Sequence, residues 1–364
     1  MSSFITLKKQ DSDFQNYLWG KFSSTERALP LTTLNLESPE ETVTFEIVKK
    51  SDIKRPSAAI TFFALIKFQN LFLILLPLFY VLAKNFVDNR FRDPFTCVIA
   101  SVAMLFLFAA FNIRNDVNDH ISGYDRVNIP PRGQYAKPIK EGWITASQAS
   151  NISWILTLIA MVLSFPVMLR QPEEARVIAV SAVLIIAGRL LSKNSYKNQH
   201  WGEVIFFILA GPGVVSGYQV ALGAGVDTEG LAFGILWAWG IQFLVHLNNF
   251  SHILTSSQAG IKNTMTNAGF DKAKKILIFW WAAFIGLWIA YHYFYASIFW
   301  SYLTTIVLVF WSVPTFMKIA EIQSPVGSEL GDLKKVGYRN FLLMCGLIVI
   351  EFYWYLGNKN DWFI

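Results

Sequence analysis

Nine apolar stretches near membrane-spanning length, at about 58–83, 94–112, 146–169, 176–192, 204–223, 230–248, 275–294, 297–317 and 340–357, constrain this chain more than any other feature. Each approaches the roughly 20 residues that an α-helix needs to cross the hydrocarbon of a bilayer. A segment crossing lipid must satisfy its own backbone polar groups, and only helices and closed barrels do so; runs this long and continuous fit helices. Composition agrees, since 54% of the 364 residues are hydrophobic and the mean hydropathy is +0.39, too apolar for an ordinary soluble domain. The expected fold is an all-α integral membrane protein with nine transmembrane helices.

The connecting segments set the expected orientation. Lys and Arg in the N-terminal tail and in 113–145, 189–203, 249–275 and 318–339 outnumber those on the opposite side by about four to one, which places this face in the cytoplasm. The N-terminus is then cytoplasmic and, with nine spans, the C-terminus outside. The net charge of +6 belongs to this asymmetry and to contact with anionic membrane lipids rather than to nucleic acid. Residues 1–57 form a cytoplasmic N-terminal extension to a transmembrane domain over 58–364. No early apolar core marks a signal peptide. Val43–Val48 alternates as a strand does, which allows a small ordered element or a partner-docking segment, but the extension has few large apolar residues, so a flexible tail is the first expectation. Cys97 and Cys345 fall in separate spans and read as small apolar residues.

Functional candidates gather where spans end on the cytoplasmic side. After the second span come Asn115, Asp116, Asn118, Asp119 and Asp125. If the helix continues, Asp116 and Asp119 share one face. Hard oxygen donors of this kind suit Mg²⁺, which takes one or two carboxylates and fills its shell with water and phosphate. The loop that follows holds Arg126, Arg132 and Lys137 among Pro130, Pro131 and Pro138. Acids that bind metal beside bases that bind phosphate are what a diphosphate substrate requires. Lys67, inside the first apolar stretch, is a further candidate for an anionic group, with snorkelling as the plainer reading. Glu203 opens the fifth span. The sixth ends in Asn248, Asn249, Ser251 and His252, with Ser256 and Lys262 beyond, repeating the layout of a span followed by a polar patch.

These two patches resemble the UbiA superfamily of intramembrane aromatic prenyltransferases. The resemblance rests on Asn115-Asp116-x-x-Asp119 after the second span, Asn248-Asn249 after the sixth, and nine spans with a cytoplasmic N-terminus. Asp125-Arg126 with Arg132, the run from Pro138 to Thr145, Gly202-Glu203 with Gly211-Pro212, and Gly260 are similar to the dihydroxynaphthoate polyprenyltransferases of menaquinone synthesis. The resemblance covers about 60–300. It implies a helical bundle around a central cavity, Mg²⁺ held by Asn115, Asp116 and Asp119, Asp125 as a further acid, a polyprenyl diphosphate and an aromatic acceptor as substrates, and a bacterial cytoplasmic membrane. The third acid of the family's first motif would fall on Gly123, so Asp125 is shifted by two. In the second patch the family has Arg-Asp-x-x-x-Asp after the paired asparagines, where this chain has Ser251, His252 and Ser256, and Lys262 stands about one residue from the family's basic position. His252 is a poor Mg²⁺ ligand. Three readings stay open: a Mg²⁺-dependent prenyltransferase, a non-catalytic subunit that binds a quinone or isoprenoid lipid and docks a protein partner through residues 1–57, and a lipid transporter on a similar bundle.

Two further features carry plainer expectations. The aromatic run Phe279–Tyr295 reads as lipid-facing surface and interfacial belt, and Glu351 as an intramembrane carboxylate near the outer interface.

Overall fold

The computed structural model describes residues 3–31, 42–88, 90, 94–127, 137–170, 202–258, 260–295, 298–325 and 329–359, with side chains omitted at 126–127, 298, 301 and 355–359. The N-terminal part is built from β1 (Ser3–Lys8), α1 (Phe14–Trp19), β2 (Glu26–Pro30) and β3 (Thr42–Lys49). The transmembrane part begins with α2 (Ala58–Leu65), α3 (Phe72–Val87), α4 (Pro94–Ser122), α5 (Tyr124–Val127) and α6 (Ala146–Leu169). It continues through α7 (Gly202–Ile208), α8 (Val214–Ala221), α9 (Thr228–Ser251), α10 (Ile253–Gln258) and α11 (Thr264–Ala268). The chain closes with α12 (Phe270–Tyr295), α13 (Ile298–Glu321) and α14 (Glu329–Lys359). Among the described residues eight helical segments are long and apolar enough to span a membrane, so the protein is a multi-pass helical bundle. The expected span at 176–192 lies outside the described residues.

The bundle is organised around α9. Of its apolar window 72% is buried, against 22–50% for the other spans, so it has neighbours on nearly every side. Phe233, Leu236, Trp237, Ile241, Leu244 and Leu247 carry its packing. The segment that crosses it is bent: a π turn at Leu209–Gly213, containing Pro212, joins α7 to α8. Small residues permit the close crossing, for a Cβ on Gly211 would stand 2.3 Å from both Ala238 Cβ and Gly234 O.

Three boundaries depart from the hydropathy reading. The first apolar stretch is not one helix: α2 stops at Leu65, Lys67 adopts a left-handed conformation (φ 52°), and a 3₁₀ turn at Phe68–Asn70 leads into α3. The membrane-length segment is therefore Phe68–Val87, and Lys67 sits at its mouth rather than in its middle. The last helix starts at Glu329, eleven residues before the apolar run, because Leu330, Leu333, Asn340, Phe341, Met344 and Ile348 form a buried stripe at three- and four-residue spacing that polar residues interrupt but do not end. Within α12, Leu277, Trp281, Phe284, Trp288 and His292 are buried while Phe279 and Phe294 are 64% and 72% exposed. The aromatic run is thus half core and half surface, since a helix turns every fourth residue inward.

Residues 3–31 and 42–57 carry more regular structure than their composition suggested. β3 lies between β1 and β2 in an antiparallel sheet of order β1-β3-β2, with Phe45 opposite both Ile5 and Pro30. Phe14 and Leu18 of α1 pack on Val43 and Phe45, a small core completed by Ile121 at the end of α4. The sheet therefore borrows apolar surface from the bundle it rests on. His120 Nε2 meets Leu18 O at 3.1 Å, and Gly20 and Gly142, both at positive φ, bring the two parts together where a Cβ would strike Thr145 and Leu29 respectively.

Candidate functional site

The site residues lie at the end of the bundle that the N-terminal sheet covers. Helix α4 runs unbroken past the apolar stretch to Ser122, so Asp116 and Asp119 do share a face. Gly123, with φ +86°, ends the helix, and the chain turns back into α5, which carries Asp125. The two-residue offset of that third acid is absorbed in this turn. All three carboxylates are buried, at 3%, 8% and 3% exposure. A second core holds them in place: Leu65, Ile66, Ala110, Ile113, Val117, Ile139, Ile144 and Ala149 tie α2, α4, α6 and the Pro138–Thr145 stretch together. Thr145 caps α6 through reciprocal bonds with Gln148, and Asn112 donates to Ile66 O at 3.0 Å, anchoring the break that presents Lys67.

Two lysines face the acids. Lys67 Nζ is 2.6 Å from Asp116 Oδ1, an ion pair by distance whose angle leaves that oxygen without a hydrogen bond. Lys137 Nζ donates to Asp125 Oδ1, and Lys140 donates to Asp125 O at 2.9 Å. Burial lowers the affinity of Lys137 for its proton, but Asp125, with Asp119 and Asp116 behind it, outweighs burial and raises its pKa. Burial pushes the Asp125 carboxyl up, opposed by Lys137 and reinforced by Asp119. Both shifts favour the protonated form, at Asp125 chiefly through burial and at Lys137 through the carboxylates around it.

The second patch is brought against the first because α10 packs on α5. It differs in kind. No acid occurs between Asn248 and Phe270. Glu203 is engaged in structure: Oε1 accepts from Asn249 at 3.1 Å, Oε2 accepts from the backbone and hydroxyl of Thr264, and His246 lies 3.7 Å away. Glu203 thus latches α7 to α9 and α11. Asn248 Oδ1 instead accepts from Lys334 Nζ at 2.8 Å, a residue that the hydropathy reading left in a loop. The buried His252 imidazole is held down to about 4 by burial and by the nearby Lys334 and Lys137 ammonium groups, so it is neutral at pH 7. Lys262 is exposed. Arg132 and the Arg126 side chain lie outside what is described.

These donors fit one Mg²⁺ at the first patch, where buried hard oxygens lie together and an Asp116 oxygen lacks a hydrogen bond. They do not fit a metal at the second. Among the described residues no three His, Cys, Asp or Glu side chains converge as a preformed metal cage. A cavity of about 120 Å³ lies elsewhere, at the far ends of α3 and α9, lined by Tyr80, Lys84, Glu229, Tyr291, His292 and Glu351 among others. There Tyr80 bonds Tyr291 at 2.9 Å and Glu229 at 3.2 Å, and Lys84 pairs with Glu229. His292 Nδ1 donates to Trp288 O at 2.8 Å and its Nε2 lies 2.7 Å from Glu351 Oε2, a contact that locks α12 to α14.

The family signature described as "UbiA prenyltransferase family" matches residues 59–326. No curated protein matches by sequence. Structures of a UbiA homolog from Archaeoglobus fulgidus, bound to GPP and Mg²⁺ or to DMAPP and Mg²⁺, align over 79% and 80% of this chain and 99% of theirs, at 16% and 15% identity and TM-scores of 0.53 and 0.55. A structure from work on digeranylgeranylglyceryl phosphate synthase in membranes aligns over 81% of this chain and 98% of its own, at 16% identity and a TM-score of 0.54. At such identity the likeness is one of fold.

Proposed function

Since the chain belongs to the UbiA prenyltransferase family, we propose that it transfers a prenyl group from a prenyl diphosphate to an aromatic, quinone-precursor-like acceptor within the membrane. The observation that carries this reading is the gathering of Asp116, Asp119 and Asp125 with Lys67 and Lys137 at one end of the bundle. Homologs of the same fold bound to GPP or DMAPP with Mg²⁺ support it.

In this reading Asn115, Asp116 and Asp119 hold Mg²⁺, with Asp125 beside them. The ion, when bound, neutralises charge growing on the leaving diphosphate. Lys67 and Lys137, freed from the carboxylates that they balance in the ligand-free protein, turn to the phosphate oxygens and stabilise the same charge. The allylic C–O bond breaks with its electron pair leaving on diphosphate. An electron-rich acceptor carbon bonds to the allylic carbon, and the ring proton passes to the released diphosphate as aromaticity returns. The α2–α4–α6 core and the N-terminal sheet shield the buried acids from water, which would otherwise capture the cation.

One observation favours a different reading, in which the chain binds an isoprenoid or quinone without turnover: lysines already balance two of the three acids, and the second patch carries none. The readings part in one assay. Full-length protein in lipid is given geranylgeranyl diphosphate, Mg²⁺ and a panel of hydroxylated naphthoates and benzoates, and products are read by mass spectrometry. A prenylated acceptor that disappears with Asp116→Asn supports transfer. Binding of the non-cleavable thiolodiphosphate with no product in any acceptor would favour the binding reading.

A further inference from the structure

The second patch faces the first across α5 and α10, yet its chemistry is cationic. Its polar side chains are Asn248, Asn249, Ser251, His252 and Ser256. The one carboxylate tied to it, Glu203, accepts from Asn249 and Thr264 through both oxygens. Mg²⁺ needs oxygen ligands and favours a carboxylate among them, and a neutral imidazole is a poor substitute. Moreover Lys334, brought in by the early start of α14, places an ammonium on Asn248, and Lys137 stands close enough that both lysines act on His252. A divalent ion entering here would meet the Lys334 ammonium, while among the described residues Glu203 is already bonded through both oxygens and Asp125 on the facing α5 is paired with Lys137. A phosphate would meet an ammonium, an amide that orients it, and a neutral imidazole able to donate.

We propose that the site takes a prenyl diphosphate with one divalent cation, at Asp116 and Asp119, and that Lys334, oriented by Asn248, binds the diphosphate at the second patch where a second metal would otherwise stand. This rests on the prenyl diphosphate reading above. Lys334 is a binding residue here: the lysine in α14 compensates for the acids that the segment after α9 lacks. A fixed ammonium neutralises less charge than Mg²⁺ but needs no metal ligands, consistent with Ser256 being buried as a small neutral side chain.

The test counts metal on the unmodified full-length protein. With Mn²⁺ replacing Mg²⁺ and geranylgeranyl thiolodiphosphate as the anion, bound Mn²⁺ per chain is measured by electron paramagnetic resonance. One Mn²⁺ per chain is expected, and two would overturn the proposal. Lys334→Met should then weaken thiolodiphosphate binding at least tenfold while Mn²⁺ stays at one, and Lys334→Arg should stay within threefold of the parent. In the triple variant Lys334→Met, His252→Asp, Ser256→Asp a second Mn²⁺ should appear and restore affinity. Unchanged affinity in folded Lys334→Met would also overturn the proposal; if that variant fails to fold, the metal count on the parent protein still decides. The parent reading fails separately, if thiolodiphosphate binding needs no Mn²⁺ or survives Asp116→Asn.

Discussion

Removing the Lys67 ammonium should cost stability in an amount that the structure sets. Its partner Asp116 keeps only 4% side-chain exposure, while Lys67 keeps 27%. Breaking a buried ion pair from one side costs about 3–5 kcal/mol, because a charge is left behind in low dielectric. The partial exposure of Lys67 puts this pair at the lower end, so Lys67→Met should lose about 3 kcal/mol. The backbone adds a second effect of opposite sign. Lys67 sits at φ 52°, a left-handed conformation that costs a residue with a Cβ about 1–2 kcal/mol and glycine little. Lys67→Gly should therefore lose about 2 kcal/mol, less than Lys67→Met despite removing more atoms. Asp116→Asn in the Lys67→Met background removes the stranded charge, and the pair should show a coupling of about 2 kcal/mol. Reversible unfolding in mixed micelles, monitored by tryptophan fluorescence, measures the parent, Lys67→Met, Lys67→Gly, Asp116→Asn and the Lys67→Met, Asp116→Asn double variant. A coupling within about 0.5 kcal/mol of zero, or a glycine variant less stable than the methionine one, would refute the ion pair or the backbone assignment respectively.

Other predictions concern packing and protonation. Gly211→Ala would press a Cβ to 2.3 Å from Gly234 O, a backbone atom that cannot step aside, and should cost about 2–3 kcal/mol, read as a lowered apparent Tm in detergent. Gly20→Ala combines strain at φ +67° with a 2.6 Å approach to Thr145 Cγ2; it should loosen residues 3–53 from the bundle, seen as faster limited proteolysis of the N-terminal part with the spans intact. Burial and the Lys334 and Lys137 ammonium groups hold His252 down to about 4, so its imidazole NMR signals in the ligand-free protein should not shift between pH 5.5 and 8; a step near pH 6.5 that disappears in His252→Asn would contradict its neutral state.

The spans and the first acidic patch were legible in the sequence because apolar length and carboxylates beside an apolar run are local signals. α6 begins and ends at Ala146 and Leu169, where the apolar stretch does. What local signals missed was decided by tertiary partners. Lys334 looked like a loop lysine because Lys334, Lys335 and Arg339 depress the hydropathy of α14, although Leu330, Leu333 and Asn340 already sit at helical spacing. The N-terminal sheet seemed too poor in large apolar residues to order itself, yet Phe14, Leu18, Val43 and Phe45 form a buried core on which Ile121 of α4 also packs. Glu203 was legible as a carboxylate at a span mouth, but nothing local foretold that Thr264 and Asn249 would take both oxygens.

The measurement that bears most directly on the account is diphosphate release by the full-length protein in lipid vesicles, supplied with geranylgeranyl diphosphate, Mg²⁺ and a hydroxylated aromatic acceptor. Release that requires acceptor and Mg²⁺, and that falls at least a hundredfold in Asp116→Asn, is the predicted result. Release that is absent with every acceptor, or equal in Asp116→Asn, would contradict a prenyl transfer centred on Asp116.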